Sequence, residues 1–262
     1  MFAVLPLYLG LGALAGVLAG LLGIGGGLVI VPMLLFALER QGVAHELVMH
    51  LALGTSLASI IFTAASSACS HHRRGAVHWK VVARITPGIL CGTLVGTFIA
   101  ASRDTALLKL IFVLFLYLVA IRMLTNHKPN PTRKLPGRGG MFAAGGVIGA
   151  ISSLVGIGGG TISTPFLLRC NTRMHQAIGT SAAMGVPIAL AGTIGYIYNG
   201  FNIPRLPPYS LGFVYLPALL GIVSASTLTA PLGVRLAHSL PVATLKRIFA
   251  LLLIAVATRM LF

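Results

Sequence analysis

Eight apolar stretches of 18 to 37 residues make up most of this 262-residue chain, and they dictate what it can fold into. They run from Phe2 to Leu38, Leu47 to Ala68, Ile85 to Ser102, Ala106 to Leu124, Gly139 to Leu168, Met174 to Tyr198, Leu206 to Val234 and Val242 to Leu261. Charge enters only near the ends of the fourth and the eighth, where a long side chain can snorkel to the interface. About 20 apolar residues cross the hydrocarbon of a bilayer, and soluble domains are roughly one quarter charged, whereas 8% of this chain is. These stretches predict an all-α polytopic membrane protein and exclude a soluble globular enzyme. Met1 to Leu22 lacks the basic start and cleavage pattern of a secretory signal and reads as a retained first membrane segment.

The first and fifth stretches, at 37 and 30 residues, are too long for one simple span, and each is interrupted by a glycine cluster. Gly23 to Leu35 reads GIGGGLVIVPMLL and Gly156 to Leu168 reads GIGGGTISTPFLL, eight identities in thirteen positions at an offset of 133. Further matches follow in order. Gly54-Thr55-Ser56 corresponds to Gly179-Thr180-Ser181, Pro87 to Pro217, Leu108-Lys109 to Leu245-Lys246, and Arg122-Met123-Leu124 to Arg259-Met260-Leu261. The chain reads as a duplicated four-segment unit, residues 1–126 and 139–262, joined by the Pro-rich, basic linker His127 to Arg138.

Orientation follows from the basic residues, because cytoplasmic loops carry the excess. Eight single crossings give parallel halves and divide the 19 Lys and Arg as 11 against 8. If the first and fifth stretches are re-entrant or paired short helices, the second half inverts and the division becomes 14 against 5, with Glu39, Glu46 and Asp104 all outside. Inverted repeats with both termini outside are the expectation. The net charge of +16 is then membrane orientation, not nucleic-acid binding. None of the three acids lies deep in an apolar stretch, so a proton that moves with the substrate would ride on the substrate or on a residue such as His50 or His175.

Four glycines in five residues do not stay helical cheaply, since each costs about 1 kcal/mol against Ala. Backbone released from its helix inside a bilayer has to be buried in protein or line a cavity. Pro32 and Pro165 are expected in the first turn of a new half-helix, whose N–H groups and positive end would suit an anion. The candidate substrate contacts are Gly25, Gly26, Gly27, Gly158, Gly159 and Gly160, with the hydroxyls of Thr55, Ser56, Thr161, Thr180 and Ser181 as donors. Close helix packing through small residues is the competing reading for the glycines, and interhelical hydrogen bonding for the hydroxyls.

Other patterns carry less. His45 and His50 are five apart, so they do not share a helix face as HExxH requires. His71, His72 and His78 lie in a basic loop, Cys91 reads as a small packing residue, and Cys69, Cys91 and Cys170 form no CxxC. Trp79, Tyr196 and Tyr198 read as interfacial anchors. No nucleophile with a base, cofactor motif or metal set emerges, so neither enzyme nor cofactor is expected.

With both GIGGG-to-Pro motifs and both Gly-Thr-Ser triplets in view, the chain from Gly12 to Leu261 resembles the TauE/SafE sulfite exporter family, also called the toluene sulfonate uptake permeases. The resemblance implies a plasma-membrane transporter of sulfur-containing anions such as sulfite or organosulfonates, with seven or eight membrane segments in two repeats. The expected partners are a small anion and the lipid bilayer. An anion channel, or a transporter of another small anion, is the alternative. Thr161, Ser163 and Thr164 replace Leu28, Ile30 and Val31, which makes the second half the more polar one.

Overall fold

The computed structural model describes residues 5–22, 26–125, 135–239 and 242–261. Among them are ten helices: α1 (Leu5–Leu22), α2 (Gly27–Arg40), α3 (His45–Arg73), α4 (Trp79–Ala101), α5 (Thr105–Leu124), α6 (Arg138–Val155), α7 (Gly160–Arg169), α8 (Met174–Gly200), α9 (Leu216–Ser239) and α10 (Val242–Leu261). Five of these, α3, α4, α5, α6 and α8, are long and apolar enough to cross a membrane. The protein is a multi-pass membrane protein. Gly25, and residues 127–134 of the expected linker, lie outside the described residues.

The first and fifth apolar stretches each divide in two at their glycine cluster. Gly156 ends α6 at φ 66°, and Gly159 starts α7 at φ 73°, while Gly26 starts α2 at φ 48°. Only glycine takes up such angles without strain. The new helices therefore begin at the last glycine of each cluster rather than at the proline. Pro32 and Pro165 fall in the second turn, a correction to the first-turn expectation. Each ring there removes the N–H that would bond a carbonyl four residues back, on Leu28 and Thr161. The ten residues of α7 rise about 15 Å, half the thickness of the hydrocarbon, so α7 cannot span alone.

In lipid, small residues at the contacts let helices approach. Gly88, Gly92 and Gly96 of α4 abut Phe142, Gly146 and Ala150 of α6, so these two helices run parallel with backbones in contact. Gly12 and Gly16 of α1 meet Ile222 and Ser226 of α9 in the same way. In contrast, Gly54 lies by Tyr196, Leu57 by Gly192 and Ala64 by Gly185, so α3 and α8 run antiparallel. The most apolar windows of α3 and α8 are 78% and 67% buried, against 33% for α5, and this crossed pair forms the centre of the molecule. Tyr117 of α5 and Thr258 of α10 share a 2.8 Å hydrogen bond at the rim.

Further features differ from the sequence reading, among them His71 and His72, which are in the last turn of α3 rather than in a loop. Tyr196 is no interfacial anchor. It is fully buried and donates to the Ser153 carbonyl at 3.0 Å, because two residues on a helix turn about 200° and leave only Tyr198 facing out. Cys91 is exposed on the outer face of α4, while the glycines do the packing. Helices α8 and α9 are joined through a small β-hairpin, in which β1 (Ser210–Leu211) pairs antiparallel with β2 (Val214–Tyr215).

Candidate functional site

The two helix breaks meet at the centre of the fold. A Cβ on Gly27 would stand 2.8 Å from the Gly156 carbonyl oxygen and 3.1 Å from Ile157 Cα, so the start of α2 lies directly against the second break. Ser56 Oγ, on α3, donates to that same Gly156 carbonyl at 2.8 Å. Close packing is thus one real role of Gly27 and Ser56.

The second break leaves backbone hydrogen-bond groups on both of its sides. A helix leaves carbonyls without partners at its C-terminus and N–H groups without partners at its N-terminus. Three carbonyls at the end of α6 are used: Ser152 O accepts from Ile157 N (3.0 Å), Ser153 O from Tyr196, and Gly156 O from Ser56. At the start of α7, Ile162 N and Ser163 N bond back to the Gly159 carbonyl (3.0 and 2.7 Å), and no side chain caps the N–H groups ahead of them. Those of Gly160 and Thr161 have no acceptor within the helix by position, and they sit at its positive end.

Beside this helix end lies a cavity of about 40 Å³ between α3 and α8. That is roughly three times the space one water requires. Gly158 and Gly160 form one wall, Ile60 and Ile178 supply apolar surface, and Thr63, Ser67 and Ser181 bring hydroxyls. Ser181 Oγ is 2.8 Å from Thr164 Oγ1 and 2.9 Å from the Ile178 carbonyl. No charged side chain is among the residues lining it. Of the candidate contacts, Gly158, Gly160 and Ser181 converge here, Gly159 lies between the two glycines of the wall, and half-buried Thr161 occupies the first turn of α7. Gly26 and Gly27 belong to the other break.

Thr55 and Thr180 are engaged elsewhere, in matching ways. Thr55 Oγ1 accepts from Tyr215 N at 2.9 Å while Gly54 makes room for the Phe213 carbonyl. Thr180 Oγ1 accepts from His78 N at 3.0 Å while Gly179 makes room for the Ala76 carbonyl. Each Gly-Thr pair holds the segment that leads into the next long helix, α9 or α4. Removing the hydroxyl strands a backbone N–H, which costs about 1–3 kcal/mol where water cannot replace it. Tyr215 is buried and His78 is exposed, so Thr55→Val is expected to lower thermal stability in detergent by more than Thr180→Val. Equal losses would show that the two docks are equally dry.

His50 is buried at 5% exposure, stacked on Phe213, with Nδ1 and Nε2 each 3.1 Å from a carbonyl, those of Glu46 and Ala100. A neutral ring can donate to only one of them. His175 is exposed, as are Glu39, Glu46 and Asp104.

The sequence reading missed Thr63, Ser67 and Ser152, and took Ser163 only as one of the residues that make the second half more polar. A signal was present for the first two: Ser56, Ser59, Thr63 and Ser67 recur at spacings of three and four, a polar stripe on one face of an otherwise apolar helix.

A family model described as Sulfite exporter TauE/SafE matches residues 8–260. The chain is 42% identical over 261 residues to a probable membrane transporter protein of Haemophilus influenzae, covering 99% of each. It is 30% identical over 249 residues to a probable membrane transporter protein of Methanocaldococcus jannaschii, covering 88% of this chain and 86% of the relative. To the probable inner membrane transporter protein TsaS of Comamonas testosteroni it is 27% identical over 180 residues, 68% of this chain and 70% of that one. No solved structure matches.

Proposed function

Because the chain belongs to the sulfite exporter TauE/SafE family and is a membrane transporter, we propose that it is a secondary transporter of a small sulfur-containing oxyanion, sulfite or an organosulfonate. The membrane it serves in this reading is the plasma membrane, the inner membrane of a bacterium. The observation that carries the choice of an anion is the uncapped start of α7: the Gly160 and Thr161 N–H groups have no acceptor within the helix, and Gly160 lines a cavity that also has three hydroxyl-bearing residues. A cation would instead need oxygen acceptors turned toward it. Gly158, Gly159, Gly160, Thr161 and Ser181 would contact the substrate in this half. Gly25, Gly26 and Gly27 would contact the substrate in the other half, where Gly27 packs against the second break.

Two inverted repeats, 1–126 and 139–262, joined by 127–138, account for the architecture. The support is that α3 and α8 carry the same Gly-Thr-Ser triplet and yet run antiparallel. Parallel repeats would place them in the same direction. A site at the interface of such repeats is open to alternating access by rocking one against the other.

The test is a thermal-shift screen of the purified protein with sulfite, sulfate, thiosulfate and methanesulfonate, followed by counterflow in proteoliposomes with any anion that binds. A ligand that binds only the folded state at 100 times its Kd stabilises it by about 2.7 kcal/mol. Saturable counterflow of a stabilising sulfur oxyanion is expected. Stabilisation by none of them would overturn the substrate, and non-saturable flux would make the protein a channel.

A further inference from the structure

Four buried hydroxyls among the described residues have no hydrogen-bond partner, and two of them converge on the second break. Ser152 Oγ is in the last turn of α6 and Ser163 Oγ in the first turn of α7, and both residues are 0% exposed. A Cβ on Gly159 would lie 3.4 Å from each, so the two hydroxyls address the same glycine, one from each side of the break.

This departs from what serine does elsewhere in these helices. A helical serine in an apolar setting normally bonds back to a carbonyl three or four residues earlier. Ser59 bonds to Ser56 O, Ser153 to Ala150 O and Thr193 to Ala189 O. Ser152 and Ser163 forgo that bond although they are sealed from water, and buried polar groups without partners are uncommon enough to require a reason. Gly159, which they face, is flanked by Gly158 and Gly160, the two glycines that wall the cavity. The nearest atom to the vacant Gly159 side-chain position is Ile188 Cδ1, the free end of a side chain that can rotate away.

We propose that Ser152 and Ser163 are specificity-determining substrate hydroxyls, the inner donors of the oxyanion site at the N-terminus of α7. The proposal rests on the oxyanion reading given above. Substrate oxygens accept from the Gly160 and Thr161 N–H groups on the cavity side and from the two serines past Gly159. Every donor in the set is neutral, so the site suits a singly charged oxyanion better than a dianion, whose second charge would have no counter-charge there.

The test uses Ser152→Ala, Ser163→Ala and the double variant in the purified full chain, with Ser59→Ala as a control whose hydroxyl is already bonded. Thermal unfolding is followed without ligand and in titrations of methanesulfonate, sulfite and sulfate. Without anion, the two alanine variants are expected to unfold at or above the wild-type temperature, because each loses an unpaired polar group, whereas Ser59→Ala unfolds lower. With methanesulfonate or sulfite, each is expected to bind about ten- to a hundredfold more weakly than wild type, the worth of one hydrogen bond to a charged group. Wild-type affinity in the double variant overturns the proposal and leaves the oxyanion reading standing, as does a fall in ligand-free stability, which would expose a structural partner. A wild-type protein that responds to none of the anions overturns the oxyanion reading, and the proposal with it. Tighter binding of sulfate than of methanesulfonate overturns the preference for a single charge.

Discussion

Gly159→Val is expected to abolish anion binding and transport while leaving a helical, membrane-inserted protein. Gly159 holds φ at 73°, and a β-branched residue in that region is strained by about 1–3 kcal/mol. The added Cβ would also press on Ile188 Cδ1 and sit among the Ser152 and Ser163 hydroxyls, filling the point on which the inner donors converge. Overpacking of this kind costs about 1–3 kcal/mol more. Together these would push the turn toward a regular helix and withdraw the Gly160 and Thr161 N–H groups from the cavity. Gly159→Ala gives a graded companion, keeping the φ strain but adding only one carbon. Circular dichroism and size-exclusion profiles would report folding, and the anion-induced thermal shift would report binding. A folded Gly159→Val protein with wild-type affinity would reduce the glycine cluster to a packing device.

The breaks were legible in the sequence because their cause is local. Four glycines in five residues forfeit helix propensity wherever they stand, and finding the same run twice removed coincidence. The distribution of Lys and Arg bears on the direction of the halves, which stays part of the inverted-repeat proposal alongside the antiparallel course of α3 and α8. The roles of the hydroxyls were not legible, because they depend on partners far along the chain. Thr55 accepts a hydrogen bond from a residue 160 positions away, in a hairpin that no periodicity announced. Ser56 looked like a donor to substrate and instead holds the Gly156 carbonyl across 100 positions. Tyr196 was misread because an aromatic near the end of an apolar stretch suggests an interface, whereas its phase on α8 turns it inward to Ser153. Ser163 showed only as one of the residues that make the second half more polar, and Ser152 carries no signal in composition or spacing. They become informative only once their burial and lack of partners are seen together.

The largest loss of stability is expected at a position remote from the cavity, Gly92 in α4. A Cβ there would run into the carbonyl and Cα of Gly146, which are backbone atoms that no rotamer change can move. Gly92→Leu therefore separates α4 from α6. The neighbouring contacts depend on the same separation, because Gly88 meets the backbone of Phe142, and Gly145 and Gly149 meet Ile85 and Ile89 in return. In a bilayer there is no hydrophobic drive between helices to compensate, so the close van der Waals contact is most of what holds the pair. A cost above about 3 kcal/mol follows, at the severe end for a single substitution. The partner glycine supplies the control. A Cβ on Gly146 meets only the Gly88 carbonyl, at an ordinary 3.9 Å, so Gly146→Ala should be accepted and should gain up to about 1 kcal/mol of helix propensity. Yield of monodisperse protein and thermal unfolding in detergent measure both. Comparable behaviour of the two variants would mean that α4 and α6 do not meet in the register described, and the position of the second break, which α6 carries, would have to be drawn again.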